Sequence, residues 1–444
     1  MYKRSIVSAM AVAVLAQWPA TSAQAAFVED SKATLGLRNF YINADPREGV
    51  ANRQEEWGQG LILNFASGYT HDGQGIGIDA LGLLGVRLDS GKGRHGNPTS
   101  NAYGGVVFPT DGDGRAASEF SSLGLTGKLK LSSTELKVGT LQPRLPVVTF
   151  NDGRLLPQTF LGAQITSTEL AGLTLIAGQL ERAKGRNSSD SRGLSIAGAN
   201  NARSGRFSNE FRYAGLDYRF TERLLGQYYY GRLDEFYAQH FVGLVHQQPL
   251  PTGSLKTDLR YFDSRAVGAN ASAEGRSSGY RSAGYWRAGD PEQGKVDNRT
   301  WSALFTYSLQ GHAISLGHQR VEGPSAFPFL NQGDGATAAL ITDRQLGKFL
   351  NAGQRTWLAE YGYDFGRIGV PGLKAVVTYL NGTGIDTSQG SRQEWERDIR
   401  VDYQWQDGPL KGLGLSWRNA SLRSDVATDL DENRLILSYS LPLL

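Results

Sequence analysis

The chain has 444 residues, of which 40% are hydrophobic and 20% are charged, and its formal net charge is +3. This near balance of charge does not favour non-specific binding to nucleic acid, and the absence of cysteine excludes disulfide scaffolds and Cys-ligated metal sites. The 56 Gly, 19 Tyr, 18 Phe and 8 Trp are typical of an aromatic-rich β protein with many turns.

Residues 1–25 have the pattern of a secretory signal peptide. Residues 3–4 are basic, residues 6–16 are apolar, and residues 23–25 form a cleavage site of the A-x-A type. We therefore expect a mature chain of residues 26–444 that works outside the cytoplasm. No Pro/Ser-rich linker and no change of composition divides this part, so a single domain is predicted.

From Ala33 onward, apolar and polar residues alternate with a period of two in stretches of about ten residues, which is typical of membrane β-strands. The final stretch is a clear case. Its apolar face consists of Leu435, Leu437, Tyr439, Leu441 and Leu443, and its polar face of Arg434, Ser438 and Ser440.

After the signal peptide there is no apolar run of about 18 residues, so no transmembrane helix is predicted. A chain that crosses a membrane without such helices needs a closed β-barrel to pair its backbone groups. A soluble sandwich or propeller would also give alternation, but its core would then have to bury charged residues on every inward face. A water-filled barrel lumen accepts those charges, so the transmembrane barrel is favoured.

The connections between strands predict the size of the barrel. Eight are short, and nine are long and polar or Gly-rich, so we predict an all-β fold with 18 antiparallel strands, short periplasmic turns, long extracellular loops and both termini on the periplasmic side. The long connections lie near 43–57, 89–118, 141–163, 182–208, 231–240, 263–299, 322–356, 382–396 and 419–432.

Basic residues recur on the polar face of the strands. For any one of them, a wet lumen that merely tolerates charge is a sufficient explanation, with Asp79, Asp258 and Asp402 pairing some of them. Together, a row of guanidinium groups would offer an anionic solute successive bidentate sites without trapping it. The residues concerned are Arg38, Arg87, Lys128, Lys130, Arg219, Arg260, Lys374, Arg400, Arg418 and Arg434.

Two of the long connections are unusual. The third, with Arg144 and Arg154 among several prolines and leucines, is apolar and stiff, so we expect it to fold inward as a constriction. The seventh carries further aromatic and basic residues that could form a second wall of this constriction: Phe327, Phe329, Lys348 and Phe349.

The sequence offers little for catalysis or metal binding. The segment 275–279 matches G-x-S-x-G but lies in a Gly/Ser-rich run rather than between a strand and a helix. The pairs His240/His246 and His312/His318 lack a third ligand nearby, and interfacial or loop positions explain them better. We therefore predict no enzymatic activity, no metal and no cofactor.

Several segments resemble the OprD family of substrate-specific outer-membrane porins. They run from one end of the mature chain to the other, and the two segments of the third connection are the most specific. They are Val28–Lys32, Leu37–Tyr41, Leu141–Pro143, Arg154–Thr159, Gly369–Leu373, Tyr379–Gly382 and Asn433–Ile436.

The resemblance implies an 18-stranded barrel in the outer membrane of a Gram-negative cell, an inward third loop, and a ladder of basic residues that guides carboxylate-bearing solutes. By position, Arg154, Arg418 and Arg434 match the ladder, together with Arg38, Arg53 and Arg400. The partners implied are outer-membrane lipid and lipopolysaccharide and small carboxylates, with the porin a monomer or a weak homotrimer.

The family divides between channels for basic amino acids and channels for cyclic or aromatic carboxylates. The basic amino-acid pattern implies an acid on the seventh loop, where this sequence has Lys348, which would repel an ammonium group. We therefore expect aromatic or cyclic monocarboxylates. The alternatives are a basic amino-acid (and carbapenem) porin of the same family and, from another class, an outer-membrane barrel hydrolase.

Overall fold

The computed structural model describes residues 27–48, 53–71, 73–90, 93–95, 107–197, 205–330 and 339–444. The predicted signal peptide lies outside the described residues. Within them, no helix has both the length and the apolar character needed to span a bilayer. The helices there are short turns, among them Gly268–Ala271, Ala273–Ser277 and Phe365–Ile368.

Strands make up most of the described chain, because its alternating segments favour extended backbone. In chain order they are β1 Lys32–Pro46, β2 Gln54–Ala66, β3 Gly75–Asp89, β4 Glu119–Leu131, β5 Thr134–Leu141, β6 Arg144–Leu145, β7 Val148–Thr149, β8 Thr159–Ser167, β9 Leu173–Lys184, β10 Ser191–Gly193, β11 Phe211–Thr221, β12 Leu224–Leu233, β13 Tyr237–Pro249, β14 Ser254–Ala266, β15 Asp297–Leu309, β16 His312–Glu322, β17 Arg355–Asp364, β18 Leu373–Thr387, β19 Gly390–Gln404, β20 Gly414–Ser424 and β21 Leu430–Pro442.

Eighteen of these strands close into one antiparallel barrel. Each of the eighteen pairs with the next along the chain, and β1 pairs with β21 from Thr34↔Pro442 to Pro46↔Leu430, which closes the sheet. The other three strands, β6, β7 and β10, lie in the connections. The predicted barrel of 18 antiparallel strands is confirmed. Full closure leaves no unpaired strand edge, which is what a bilayer requires.

The two ends of the barrel differ. At the end that holds both termini, which we call the turn end, connections are short, such as the two residues between β4 and β5. At the opposite, loop end, five connections are long. Three that were predicted to be long are tight: β12 and β13 are separated by 234–236, β18 and β19 by 388–389, and β20 and β21 by 425–429. The outward face of these hairpins is largely polar while part of the inward face is apolar, which hides the strand alternation in the sequence.

The outward face is apolar across the middle of the barrel. Leu123, Leu125 and Leu129 alternate along β4 with 71%, 54% and 37% of their surface exposed, as expected of side chains that face lipid. Histidines on this face pack against aromatic rings, for example His318 with Trp357 at 4.4 Å between ring centroids. Such groups of rings are typical of the interfacial zones of a membrane barrel.

Part of the lumen is filled rather than wet. Inward-facing rings of β11 to β14, such as Tyr213, Tyr229 and Phe262, are buried together with residues of the long connections, including Val148 and Phe327. A smaller cluster joins Phe40 and Ile42 of β1 to Leu155. The hydrophobic core of this protein therefore lies inside the barrel, between its wall and the loops that fold into it.

A glycine on the inner wall makes room for one of these rings. A Cβ at Gly215 would lie 2.1 Å from Cδ1 of Tyr229, whose ring is fully buried and whose hydroxyl donates to Asp217 at 3.0 Å. We expect Gly215→Ala to destabilise the barrel by about 1–3 kcal/mol through overpacking. The measurement is the temperature at which the folded barrel converts to the unfolded form on an SDS gel.

Gly127→Ala is the matched control for this substitution. Its Cβ would meet only the Val138 carbonyl, at 3.9 Å. An equal loss of stability in the two variants would show that the close approach of Tyr229 is not the cause.

Candidate solute pathway and constriction

Three arginines form a row on the lumen face of β19, β20 and β21. In the register of these strands, Arg400 lies opposite Arg418, and Arg418 lies opposite Arg434. Neighbouring strands are about 4.8 Å apart, so the three guanidinium groups follow one another around the wall. Arg400 and Arg434 are paired with Asp402 and Glu432, whereas Arg418 makes no ion pair with any described residue. The row therefore brings three positive charges together on one part of the wall, and its middle member is not neutralised.

Arg38, on the lumen face of β1, holds the third outer connection, residues 142–158, which we call loop 3. Its Nη1 donates to the Arg154 carbonyl at 2.7 Å and to Oδ1 of Asp152 at 2.8 Å, and its Nη2 donates to Oδ2 of Asp152 at 3.3 Å. Loop 3 leaves the wall at β5, four strands away from β1. It therefore folds into the lumen, as the sequence predicts.

Arg434 contacts loop 3 and also the seventh outer connection, residues 323–354, which we call loop 7. Its Nη1 donates to the Gly153 carbonyl and its Nη2 to the Gln345 carbonyl, both at 3.3 Å, while its Nε donates to Glu432 at 2.6 Å. The side chain is 8% exposed. One buried guanidinium thus joins both inward loops to the wall. We call the region around Arg38, Arg434 and these loop contacts the eyelet.

A carboxylate on β19 also holds loop 7, next to the contact between Arg434 and Gln345. Glu396 is fully buried and accepts backbone N–H groups from Gln345 at 3.2 Å, from Leu346 at 2.9 Å and from Gly347. A buried carboxylate needs such donors, and three consecutive N–H groups satisfy it without a cation. The backbone of loop 7 at the eyelet is therefore held in one conformation.

The aromatic residues expected to line the constriction are buried instead. Phe327 and Phe349 are 2% and 1% exposed; Phe327 packs edge-on against Phe262 with 5.0 Å between ring centroids, and Phe349 packs with Leu380. Phe329 is 7% exposed. Apolar rings beside a water-filled path have a lower free energy when they are buried. These phenylalanines stabilise loop 7 from beneath, in contrast to the sequence-based expectation.

The basic residues expected at the constriction lie on the two inward loops. Arg144 is exposed in β6, with its guanidinium 4.4 Å from the ring centroid of Phe150. The Lys348 Nζ lies 3.6 Å from an oxygen of Asp343 and 5.7 Å from the ring centroid of Phe329. The charge of Lys348 is therefore partly offset by a neighbouring carboxylate.

Arg53 is not part of the lumen. It donates to Glu55 at 2.7 Å and lines a groove of about 650 Å³ together with Tyr41 and Asp45. Those two residues lie on the strand face opposite to Arg38, which is the outward face of β1. The expectation that Arg53 belongs to the basic ladder is therefore not met. Strand parity could have excluded it, had the start of β2 been known.

Sequence reasoning missed a run of acids on β19, two of which hold loop 7. Glu394, Glu396 and Asp398 alternate along β19 on the same face as Arg400, and all three are buried. Three acids at a spacing of two on one lumen face were a visible signal. The function of Glu394 and Glu396 was not visible, because their partners lie about 40 to 50 residues earlier in the chain, on loop 7.

One trio resembles the nucleophile, base and acid of a hydrolase. His95 lies 2.9 Å from the Thr110 hydroxyl through Nε2 and 2.7 Å from Glu56 through Nδ1. Glu56 also accepts the Val107 backbone N–H at 2.6 Å and is fully buried, and His95 is 6% exposed. These contacts attach the second outer connection to β2. The G-x-S-x-G segment begins inside the one-turn helix Ala273–Ser277 and ends after it, and a 3-10 turn rather than a strand precedes this helix, so no nucleophile elbow forms.

An 18-stranded barrel with an apolar outer face, charged residues along its lumen and two loops folded into it is a channel for passive diffusion across an outer membrane, that is, a porin. A family model described as "outer membrane porin, OprD family" matches residues 25–443. The chain belongs to this family, and its location is therefore the outer membrane of a Gram-negative cell.

Relatives agree with this assignment over nearly their whole length. The porin-like protein GalP of Pseudomonas putida is 37% identical over 437 residues, which cover 97% of each chain. The crystal structure of OccK8 (OprE) of Pseudomonas aeruginosa is 56% identical with a TM-score of 0.87, covering 94% of this chain and all of that one. The crystal structure of OpdK of the same organism with vanillate is 36% identical with a TM-score of 0.80 and the same coverage.

Proposed function

We propose that the channel carries small carboxylate-bearing solutes, in particular aromatic or cyclic monocarboxylates. The observation that supports this most is the row of Arg400, Arg418 and Arg434, which leads to the eyelet where Arg434 and Arg38 hold the inward loops. Guanidinium groups bind carboxylates through two parallel hydrogen bonds. A solute that enters along β19 to β21 would meet such donors on Arg400 and Arg418, whereas Arg434 is buried and its donors are engaged by Glu432 and the two loops.

Passive transport also requires that no site in the channel bind the solute too tightly. Asp402 and Glu432 pair with the two outer members of the row and so weaken their attraction for a passing anion. Arg418, which has no such partner, would then bind a carboxylate best, although still in contact with water. Several moderate sites in sequence permit both entry and release.

Two further observations support the preference for an aromatic or cyclic solute. OpdK, whose fold this chain shares, was crystallised with vanillate, an aromatic monocarboxylate. In this chain, Lys348 on loop 7 would repel a solute ammonium group. The alternative, a porin for basic amino acids, is supported by Asp343, a carboxylate on loop 7, but that carboxylate lies 3.6 Å from Lys348.

Single-channel recording in planar bilayers tests this proposal. We expect benzoate to produce brief interruptions of the current, while arginine and the uncharged analogue benzyl alcohol do not at equal concentration. Interruption by arginine and not by benzoate would favour the basic amino-acid porin. Equal effects of benzoate and benzyl alcohol would mean that the carboxylate is not recognised.

A further inference from the structure

The outward face of β19 to β21 and β1 changes character near the loop end. Along β19 the outward residues Val401 and Ile399 are followed by Arg397, and along β21 the outward Leu435 is followed by Asn433. Unpaired polar side chains are costly in hydrocarbon, so this change marks the upper boundary of the apolar band. Arg397 and its neighbours therefore lie at the height of lipid head groups.

At this height the surface forms a polar groove of about 650 Å³, the same groove that contains Arg53. Its floor is a series of amides, with the Asn419 amide donating to the Asn433 side-chain oxygen at 3.0 Å. We call it the rim groove. The residues that matter for its chemistry are Tyr41, Asn43, Arg53, Arg397, Asn419 and Asn433.

Arg397 is the cation in this groove that is least neutralised. Its Nη2 donates to Asn419 at 2.7 Å and to Ser421 at 3.1 Å, its Nε is buried without a hydrogen-bond partner, and no described carboxylate forms an ion pair with it. The two acids that line the groove, Asp45 and Asp431, lie 3.5 and 3.4 Å from Arg47. The acids are thus engaged by other arginines, since Asp431 also lies 2.9 Å from Arg423, and the positive charge of Arg397 is left for an anion.

We propose that the rim groove binds the phosphate group of a lipid in the outer leaflet of the membrane. Arginine recognises phosphate through its planar set of donors, and amides add hydrogen bonds to phosphate or sugar oxygens. The apolar band directly below the groove would contact the acyl chains of the same molecule. This site is on the outside of the barrel and does not depend on which solute passes through the lumen.

Native mass spectrometry of the purified porin with diphosphoryl lipid A as the probe tests the proposal. We expect lipid adducts on the wild-type protein, and a loss of affinity of roughly tenfold or more in Arg397→Gln, as for removal of a charge-assisted hydrogen bond. Arg397→Lys should retain more of the affinity because it keeps the charge. Arg320→Gln, which removes an outward arginine near the loop end of β16, is the matched control and should bind normally.

Equal lipid binding by Arg397→Gln and Arg320→Gln would overturn the proposal. So would equal binding of a dephosphorylated form of the lipid. Full competition by inorganic phosphate at the concentration of the lipid would identify the groove as a site for a free anion instead. Oligomers of the porin that depend on Arg397 and exclude lipid would show that it contacts a second copy of the chain.

Discussion

Replacing Arg434 with methionine should widen the eyelet and increase the single-channel conductance. The substitution removes the guanidinium that donates to Gly153 of loop 3 and to Gln345 of loop 7, and leaves Glu432 without its cation. Removing one partner of a buried ion pair costs about 3–5 kcal/mol, so Glu432 and the loop segments beside it should rearrange, while Arg38 and Glu396 still attach the two loops to the wall. We also expect larger current fluctuations, since each loop has then lost one of its contacts with the wall.

Arg434→Lys separates the contribution of the positive charge of this residue from that of its hydrogen bonds to the two loops. Lysine keeps the charge beside Glu432, but a single ammonium group cannot replace the separate Nη1 and Nη2 contacts to the two loops. Its conductance should rise as in the methionine variant, while its anion preference falls less. An unchanged conductance in Arg434→Met, in protein that keeps its folded mobility on an SDS gel, would show that this arginine does not hold the loops.

Reversing the charge of Arg418 should reduce, and could invert, the preference of the channel for anions. A carboxylate about 4 Å away in water is attracted by about 1 kcal/mol, so reversal changes its energy by about 2 kcal/mol, or roughly tenfold in relative occupancy once salt screening is included. The reversal potential of Arg418→Glu in a salt gradient measures this preference directly. The benzoate interruptions of the current should disappear as well.

Lys256→Glu is the matched control for this experiment. Lys256 is on the lumen face of β14, six strands away from β20, and makes no ion pair with any described residue. Its reversal changes the total charge by the same amount, so any effect of overall charge appears in both variants. Similar shifts of reversal potential in the two variants would remove the arginine row from the explanation of selectivity.

The barrel itself was predictable because its determinants are local. Alternation along β4 or β21 reflects lipid on one side and water on the other, and this difference recurs at every second residue. The count of connections then gave the number of strands. The hairpins β12–β13, β18–β19 and β20–β21 were misjudged, because above the membrane the outward face of a strand meets water instead of lipid and the apolar side of the alternation ends.

The candidate site was predictable only in part. Strand parity placed Arg38, Arg400, Arg418 and Arg434 on the lumen wall, and the structure puts three of them in one row. The alternation along a strand does not indicate which of these arginines are accessible to a solute. Arg434 is buried between two loops, a contact 281 residues away along the chain, whereas Arg418 is half-exposed in the lumen and not paired with an acid.

The sequence by itself determined the class of protein, the number of strands and the faces on which charges lie, because these follow from the surroundings of single strands. Only the tertiary structure decided where the inward loops rest. It placed Phe349 in a buried cluster, Glu396 under the backbone of loop 7 and Arg53 on the outer rim. Contacts between a loop and a distant wall depend on closure of the whole barrel, which no local pattern encodes.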